Sequence, residues 1–207
     1  MTPAEALDKV VAAVEAEGKR LRAEFYAPQG PRGRRGSCPA DKEIEERLQV
    51  ALQALIPARF CGEECAIVPG SREGWTWLVD PHDGTFEFTS GRRGSAISVA
   101  LLEKQKVVLA VVHAPDAPDR GPDTIAWAEG RPLLRNGKPM EANLGGKGRA
   151  RDIISRRREP QMAIRLDSTP LPQPRIVIST QQTGLATFGN HPALHLSAFF
   201  ADPVARR

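Results

Sequence analysis

Two aspartates three residues apart, Asp80 and Asp83, stand in the segment WLVDPHDGT (77–85). The apolar run WTWLV (75–79) predicts a buried strand that stops at Asp80-Pro81 and delivers Asp80 at its end, with Asp83 returning on the same turn. Two carboxylates on one tight turn repel each other unless something positive sits between them, and oxygen-only donors suit hard cations such as Mg²⁺. Upstream, in CGEEC (61–65), Glu63 and Glu64 could supply the opposing carboxylate. Gly84 permits close backbone approach, and Thr85 adds a hydroxyl where a helix can start. If the N–H groups of Gly84 and Thr85 open that helix, they would cradle a phosphate oxygen. Together the parts describe metal-assisted hydrolysis of a phosphate ester. Asp-Pro and Asp-Gly also make ordinary turns. The acidic pair upstream and the apolar strand feeding the turn favour the chemistry.

The elements that must hold these residues are legible around them. Residues 3–25 read as an amphipathic helix opened by the capping box Thr2-Pro3-Ala4-Glu5, with Pro3 at the first helical position. A Pro- and Gly-rich basic loop follows, then a second helix from about Ala40 to Leu55 with Ile44, Leu48, Leu52 and Leu55 on one face. SAISVALLE (95–103) and KVVLAVVHA (106–114) flank a turn at Lys104-Gln105, which predicts an antiparallel hairpin. TIAWAEG (124–130) reads as a further strand, and Asn136-Gly137 as a turn. Helices followed by adjacent strands predict an α+β fold with a mainly antiparallel sheet. Residues 1–145 form the expected first domain, 146–174 a basic Pro- and Arg-rich linker, and 175–207 a reduced C-terminal part that includes a strand at RIVIS (175–179).

The 207 residues include 29 Lys and Arg against 25 Asp and Glu, with 41% hydrophobic residues, which is the composition of a globular chain. The longest apolar run, Val107–Val112, is far short of the roughly 18–20 residues of a membrane-spanning helix. The N-terminus has no continuous apolar stretch of the secretory type, so a cytoplasmic protein is expected. The basic runs at Arg32, Arg34 and Arg35 and from Lys147 to Arg158 have no interleaved aromatics and no helix-turn-helix or zinc-finger spacing. They read as solvated loops, and no nucleic-acid partner is expected. Cys38, Cys61 and Cys65 lack paired C-x-x-C spacing, which argues against structural zinc and for reduced thiols.

The order of motifs resembles the inositol monophosphatase family, a group of Mg²⁺-dependent, lithium-sensitive phosphatases. That family carries G-E-E, then W-[ILV]-[ILV]-D-P-x-D-G-T-x-x-F, a strand of A-V-S-I-A-L type, V-V-x-A-P and an N-G-x-P turn. This chain supplies GEE (62–64), WLVDPHDGTFEF (77–88), SAISVALLE (95–103), VVHAP (111–115) and NGKP (136–139) in that order. SCPADKEIEERL (37–48) resembles the family's S-P-x-T-x-A-D-x-x-x-E-x-x-L helix start. The resemblance runs from about residue 37 to 140. It implies Glu64, Asp80 and Asp83 as metal ligands, with the backbone carbonyl of His82 as a further one. It implies Glu63 as the carboxylate that helps position metal-bound water, and Thr85 with Asp41 as the pair that orients and activates that water. Gly84 and Thr85 would hold the phosphate. The implied fold is a layered α-β-α-β-α arrangement, and the implied partner a small phosphorylated substrate.

The chain departs from the pattern in two places. His82 stands where the family has Ile or Leu and is expected to be exposed. The family's second-half W-D-x-A-A-G motif does not occur, and Asp167 and Asp202 lie in other surroundings. A shortened second half predicts an uncovered sheet face, hence a homo-oligomer or a protein partner that covers it. It also leaves open an inactive metal- or protein-binding remnant as the alternative to an enzyme. The spacing of the aspartates counts against a haloacid-dehalogenase-type phosphatase, whose motif separates them by one residue. Glu87, Arg92 and Arg93 read as solvated, and His113 as a packed histidine.

Overall fold

In the computed structural model, residues 1–34, 37–117 and 121–140 are described. The expected linker, the strand at 175–179, and Asp167 and Asp202 lie outside them. Helix α1 spans Pro3–Phe25. Thr2 accepts from the Glu5 N–H while the Glu5 carboxylate accepts from the Thr2 N–H, so the reciprocal cap read from the sequence is formed. Helix α2 spans Pro39–Leu55 and buries Ala40, Asp41, Ile44, Glu45, Leu48 and Leu52. Asp41 and Glu45 thus share the buried face with the apolar residues that anchor the helix.

The described strands are β1 (Arg59–Cys61), β2 (Trp75–Asp83), β3 (Ala96–Glu103), β4 (Lys106–Ala117), β5 (Gly121–Ala128), β6 (Leu134–Arg135) and β7 (Lys138–Pro139). They form one sheet in sequence order. Strands β1 and β2 are parallel and every other neighbouring pair is antiparallel. This matches the expected α+β class. The β3–β4 hairpin turns at Lys104, whose φ of 58° is in the left-handed region, and β6–β7 turns at Asn136-Gly137 with φ of 50° and 75°.

The buried faces explain the packing. Leu7, Val10, Val14 and Leu21 of α1 are fully buried in the same apolar cluster as Leu101, Leu109 and Val111 of the sheet. A side chain at Gly18 would place its Cβ 2.2 Å from the His113 ring, so only glycine lets α1 lie this close to β4. His113 is buried, as expected, with its Nδ1 2.9 Å from the Thr124 hydroxyl, which in turn donates to Glu15 at 2.8 Å. Because the Glu15 carboxylate can only accept, Thr124 spends its hydrogen there, and His113 Nδ1 must be the donor. Trp77 is buried, and its indole N–H donates to the Ile56 carbonyl at 3.0 Å, tying β2 to the end of α2.

Three details differ from the sequence reading. The strand continues through Asp80-Pro81 to Asp83, with a register shift between Asp80 (opposite Ser98) and Asp83 (opposite Ala96). Pro81 has no N–H to give the ladder, and the extra residue lets the strand pass it as a bulge. Arg32 is more than part of a solvated loop: its guanidinium bonds both Glu24 and Glu43, joining α1 to α2. Glu87 is buried in the one-turn helix α3 (Thr85–Thr89), while Arg92 and Arg93 are exposed.

Candidate active site

The bulge in β2 sets the geometry of the carboxylates. On a regular strand, residues three apart face opposite sides, but one extra residue restores them to the same side. Asp83 accordingly acts on Asp80 as a close like charge. Asp80 receives the His82 N–H on Oδ1 at 3.0 Å, while its Oδ2 is sealed and has no partner. Its carboxyl is pushed well above the usual carboxylate range, first by burial, then by Asp83 and Glu63. Glu63 also lies within hydrogen-bonding reach of Asp80. Glu64 is raised too, by partial burial and then by Asp41, Glu63 and Glu45. Glu63 is therefore common to two overlapping acidic groups, one around Asp80 and one around Glu64.

Asp41 and Thr85, distant in sequence, meet here. The Thr85 hydroxyl lies 3.2 Å from Asp41 Oδ2 and 2.9 Å from the His82 carbonyl. The carbonyl expected to face a metal thus also receives the Thr85 hydroxyl. Gly84, at φ 95°, is the left-handed residue through which the strand enters α3. His82 is buried, against expectation. Its ring packs edge-on to Phe88 at 4.4 Å between centroids, and its Nδ1 lies 2.6 Å from Asp41 Oδ1. The strand's continuation turns the ring inward, where a polar edge finds a carboxylate.

The residues fit a cation. Among the described residues, the sealed side-chain polar atoms without a partner are Asp80 Oδ2, His82 Nε2 and Ser98 Oγ. All three lie on the bulged part of β2 or directly across from it. Buried polar atoms ordinarily have partners, and the two orphaned oxygens, Asp80 Oδ2 and Ser98 Oγ at paired strand positions, are where a hard cation would satisfy them.

Glu45 has a role that spacing did not reveal. It is fully buried and accepts the backbone N–H groups of Glu64 at 2.8 Å and Cys65 at 2.7 Å. It thereby fixes the loop that presents Glu63 and Glu64. Its signal was the third acid of the SCPADKEIEERL segment, four residues after Asp41 and so on the same helical face. A Cβ at Gly62 would come within 2.1 Å of the Glu45 carboxyl. Gly62→Ala is therefore expected to lower stability by about 1–3 kcal/mol, as overpacking does. It should also weaken Mg²⁺ binding by displacing the acidic loop. Urea unfolding beside a Mg²⁺ titration checks both effects, and wild-type behaviour in both would overturn the role given to Glu45.

The family model described as "Inositol monophosphatase family" matches residues 37–160. A 3'(2'),5'-bisphosphate nucleotidase of Haemophilus influenzae is 36% identical over 80 residues, which cover 37% of this chain and 30% of that protein. Inositol monophosphatase 3 of Solanum lycopersicum is 28% identical over 66% of this chain and 52% of its own length. The inositol-1-monophosphatase of Rhizobium meliloti is 35% identical over 53% of this chain and 43% of its own length. This chain thus spans about half or less of the length of these relatives. Among solved structures, the extragenic suppressor protein suhB of Bartonella henselae superposes with a TM-score of 0.55 at 24% identity. It covers 64% of this chain and 52% of that one, a likeness that shows the fold.

Proposed function

This chain belongs to the inositol monophosphatase family, and from that premise we propose that it hydrolyses a small phosphate monoester, with Mg²⁺ as cofactor. The observation that carries the proposal is the Asp41–Thr85 pair set beside the Asp80, Asp83, Glu63 and Glu64 carboxylates. Glu64, Asp80 and Asp83 would hold the Mg²⁺, which when bound supplies Lewis-acid polarisation of the phosphoryl oxygens. In this reading Thr85 turns its single hydrogen from the His82 carbonyl to Asp41, which leaves the lone pairs of Oγ1 free to accept a hydrogen from an attacking water. The water is oriented at Thr85 Oγ1, and Asp41 takes up the displaced hydrogen through that hydroxyl. Glu63, within reach of Asp80, holds the water from the acidic side. Gly84 and Thr85 N–H groups face the phosphate in this reading. Water is the nucleophile, and no covalent enzyme intermediate forms.

Inositol, sugar and nucleotide monophosphates are the candidate substrates. The test is phosphate release from a panel of such esters with and without Mg²⁺. Mg²⁺-dependent release from at least one ester is expected, together with inhibition by lithium at roughly ten millimolar or above, carried over from the family. A second reading is a domain that binds metal without turnover, and what favours it is that no W-D-x-A-A-G motif occurs in the 207 residues. A flat panel beside a saturable Mg²⁺ isotherm would favour this second reading and overturn the enzyme.

A further inference from the structure

We infer that Ser98 is a further ligand of the cation centre, offering it a neutral hydroxyl oxygen beside Asp80. The inference rests on the cation reading above and not on turnover. Ser98 is the one polar side chain from Ala96 to Leu102, in the middle of β3. It is 1% exposed, and its Oγ is sealed from solvent with no partner among the described residues. In the sheet it pairs with Asp80 on one side and Val112 on the other. Val112 has no side-chain polar atom to give. Ala96 and Ala100, which share a face of β3 with Ser98, have none either. The side chain directly opposite that can answer the hydroxyl is therefore Asp80's, and Asp80 Oδ2 is itself sealed and unpartnered.

Two sealed oxygens on directly opposed residues, not bonded to each other, point to a third group between them. Opposed residues of an antiparallel pair have Cβ atoms about 4.5–5.5 Å apart, a gap that one ion bridges. Asp83, opposite Ala96, joins the same stretch of β3. Asp83 and Glu63 already act on Asp80 as like charges. A further carboxylate would add repulsion, whereas a hydroxyl adds an oxygen without charge. Hydroxyls serve Mg²⁺ in this way in phosphate-loop enzymes, where a Ser or Thr holds the ion. Without a guest, a hydroxyl buried among Ala96, Ala100 and Val112 costs stability that an alanine at the same position does not.

Calorimetric Mg²⁺ titration and thermal unfolding of the whole chain test the assignment. Ser98→Ala should weaken Mg²⁺ binding roughly tenfold, while its metal-free form melts no lower than wild type. Ser98→Cys puts a soft donor at the same place and should exchange Mg²⁺ for Cd²⁺. A cadmium–thiolate absorption beyond that of wild type is the signature of contact with the ion, which a packing role would not produce. Circular dichroism establishes that each variant is folded. Mg²⁺ affinity in Ser98→Ala within about twofold of wild type would overturn the ligand, as expected if only a buried water bridges the two oxygens. So would a folded Ser98→Cys chain that gains no cadmium band. A wild-type chain that binds no Mg²⁺ would overturn the cation centre and Ser98 with it, whereas binding without phosphate release would overturn only the phosphatase reading.

Discussion

Asp80→Asn combined with Asp83→Asn is expected to weaken Mg²⁺ binding by roughly hundredfold or more and, at the same time, to make the metal-free protein more stable. The two effects have one cause. Asp80 has one carboxylate oxygen sealed from solvent, with Asp83 and Glu63 as like charges beside it, a costly arrangement unless a cation is present. Removing the charge relieves burial and repulsion together, and the new amide can donate to the acidic neighbours. A gain on the order of 1–3 kcal/mol is the scale set by an unsatisfied buried polar group. The pH dependence follows from the same residue. Its folded-state pKa is raised, so the folded chain keeps a proton that the unfolded chain releases near pH 4. Stability of the metal-free wild type therefore falls as pH rises from about 4 through that raised value, and saturating Mg²⁺ flattens the slope. Calorimetric titration and thermal unfolding with and without Mg²⁺ read all three. Wild-type affinity in the double variant, or a metal-free form less stable than wild type, would sink the assignment.

The second large effect belongs to the hydroxyl. In a chain that hydrolyses phosphate esters as proposed, Thr85→Ala should lower kcat by about 10²–10⁴-fold while KM changes little, because the lost group acts on the attacking water. Thr85→Ser keeps the donor to Asp41 and should recover most of the rate. Asp41→Asn should resemble Thr85→Ala, and the pair of changes together should cost little more than either alone, since the two residues act as one relay. An additive loss would show that Asp41 serves something other than Thr85. So would a rate in Thr85→Ala within a few-fold of wild type.

The framework and the grouping of the acids were legible because they are local. The Thr2–Glu5 cap, the periodic apolar face of α2, the Lys104-Gln105 hairpin and the Asn136-Gly137 turn each depend on residues a few positions apart. The acids at 63, 64, 80 and 83 announced an oxygen-donor centre for the same reason, since two charges on one short segment cannot avoid each other.

What the sequence by itself determined was therefore the class of elements, their order and the acidic character of the site. Tertiary structure alone decided which carboxylates face each other and what else joins them. The bulge after Asp80 reverses the parity of β2, putting Asp83 on Asp80's side and turning His82 into the core, where the departure from the family's motif led to the expectation of an exposed ring. Glu45 became the acceptor for the acidic loop, and Cys38 came to lie beside His82, through contacts between elements widely separated along the chain. Such contacts depend on how α2 packs against the sheet, where Trp77 bonds the Ile56 carbonyl at the helix end, and that packing leaves no periodic trace in the residues.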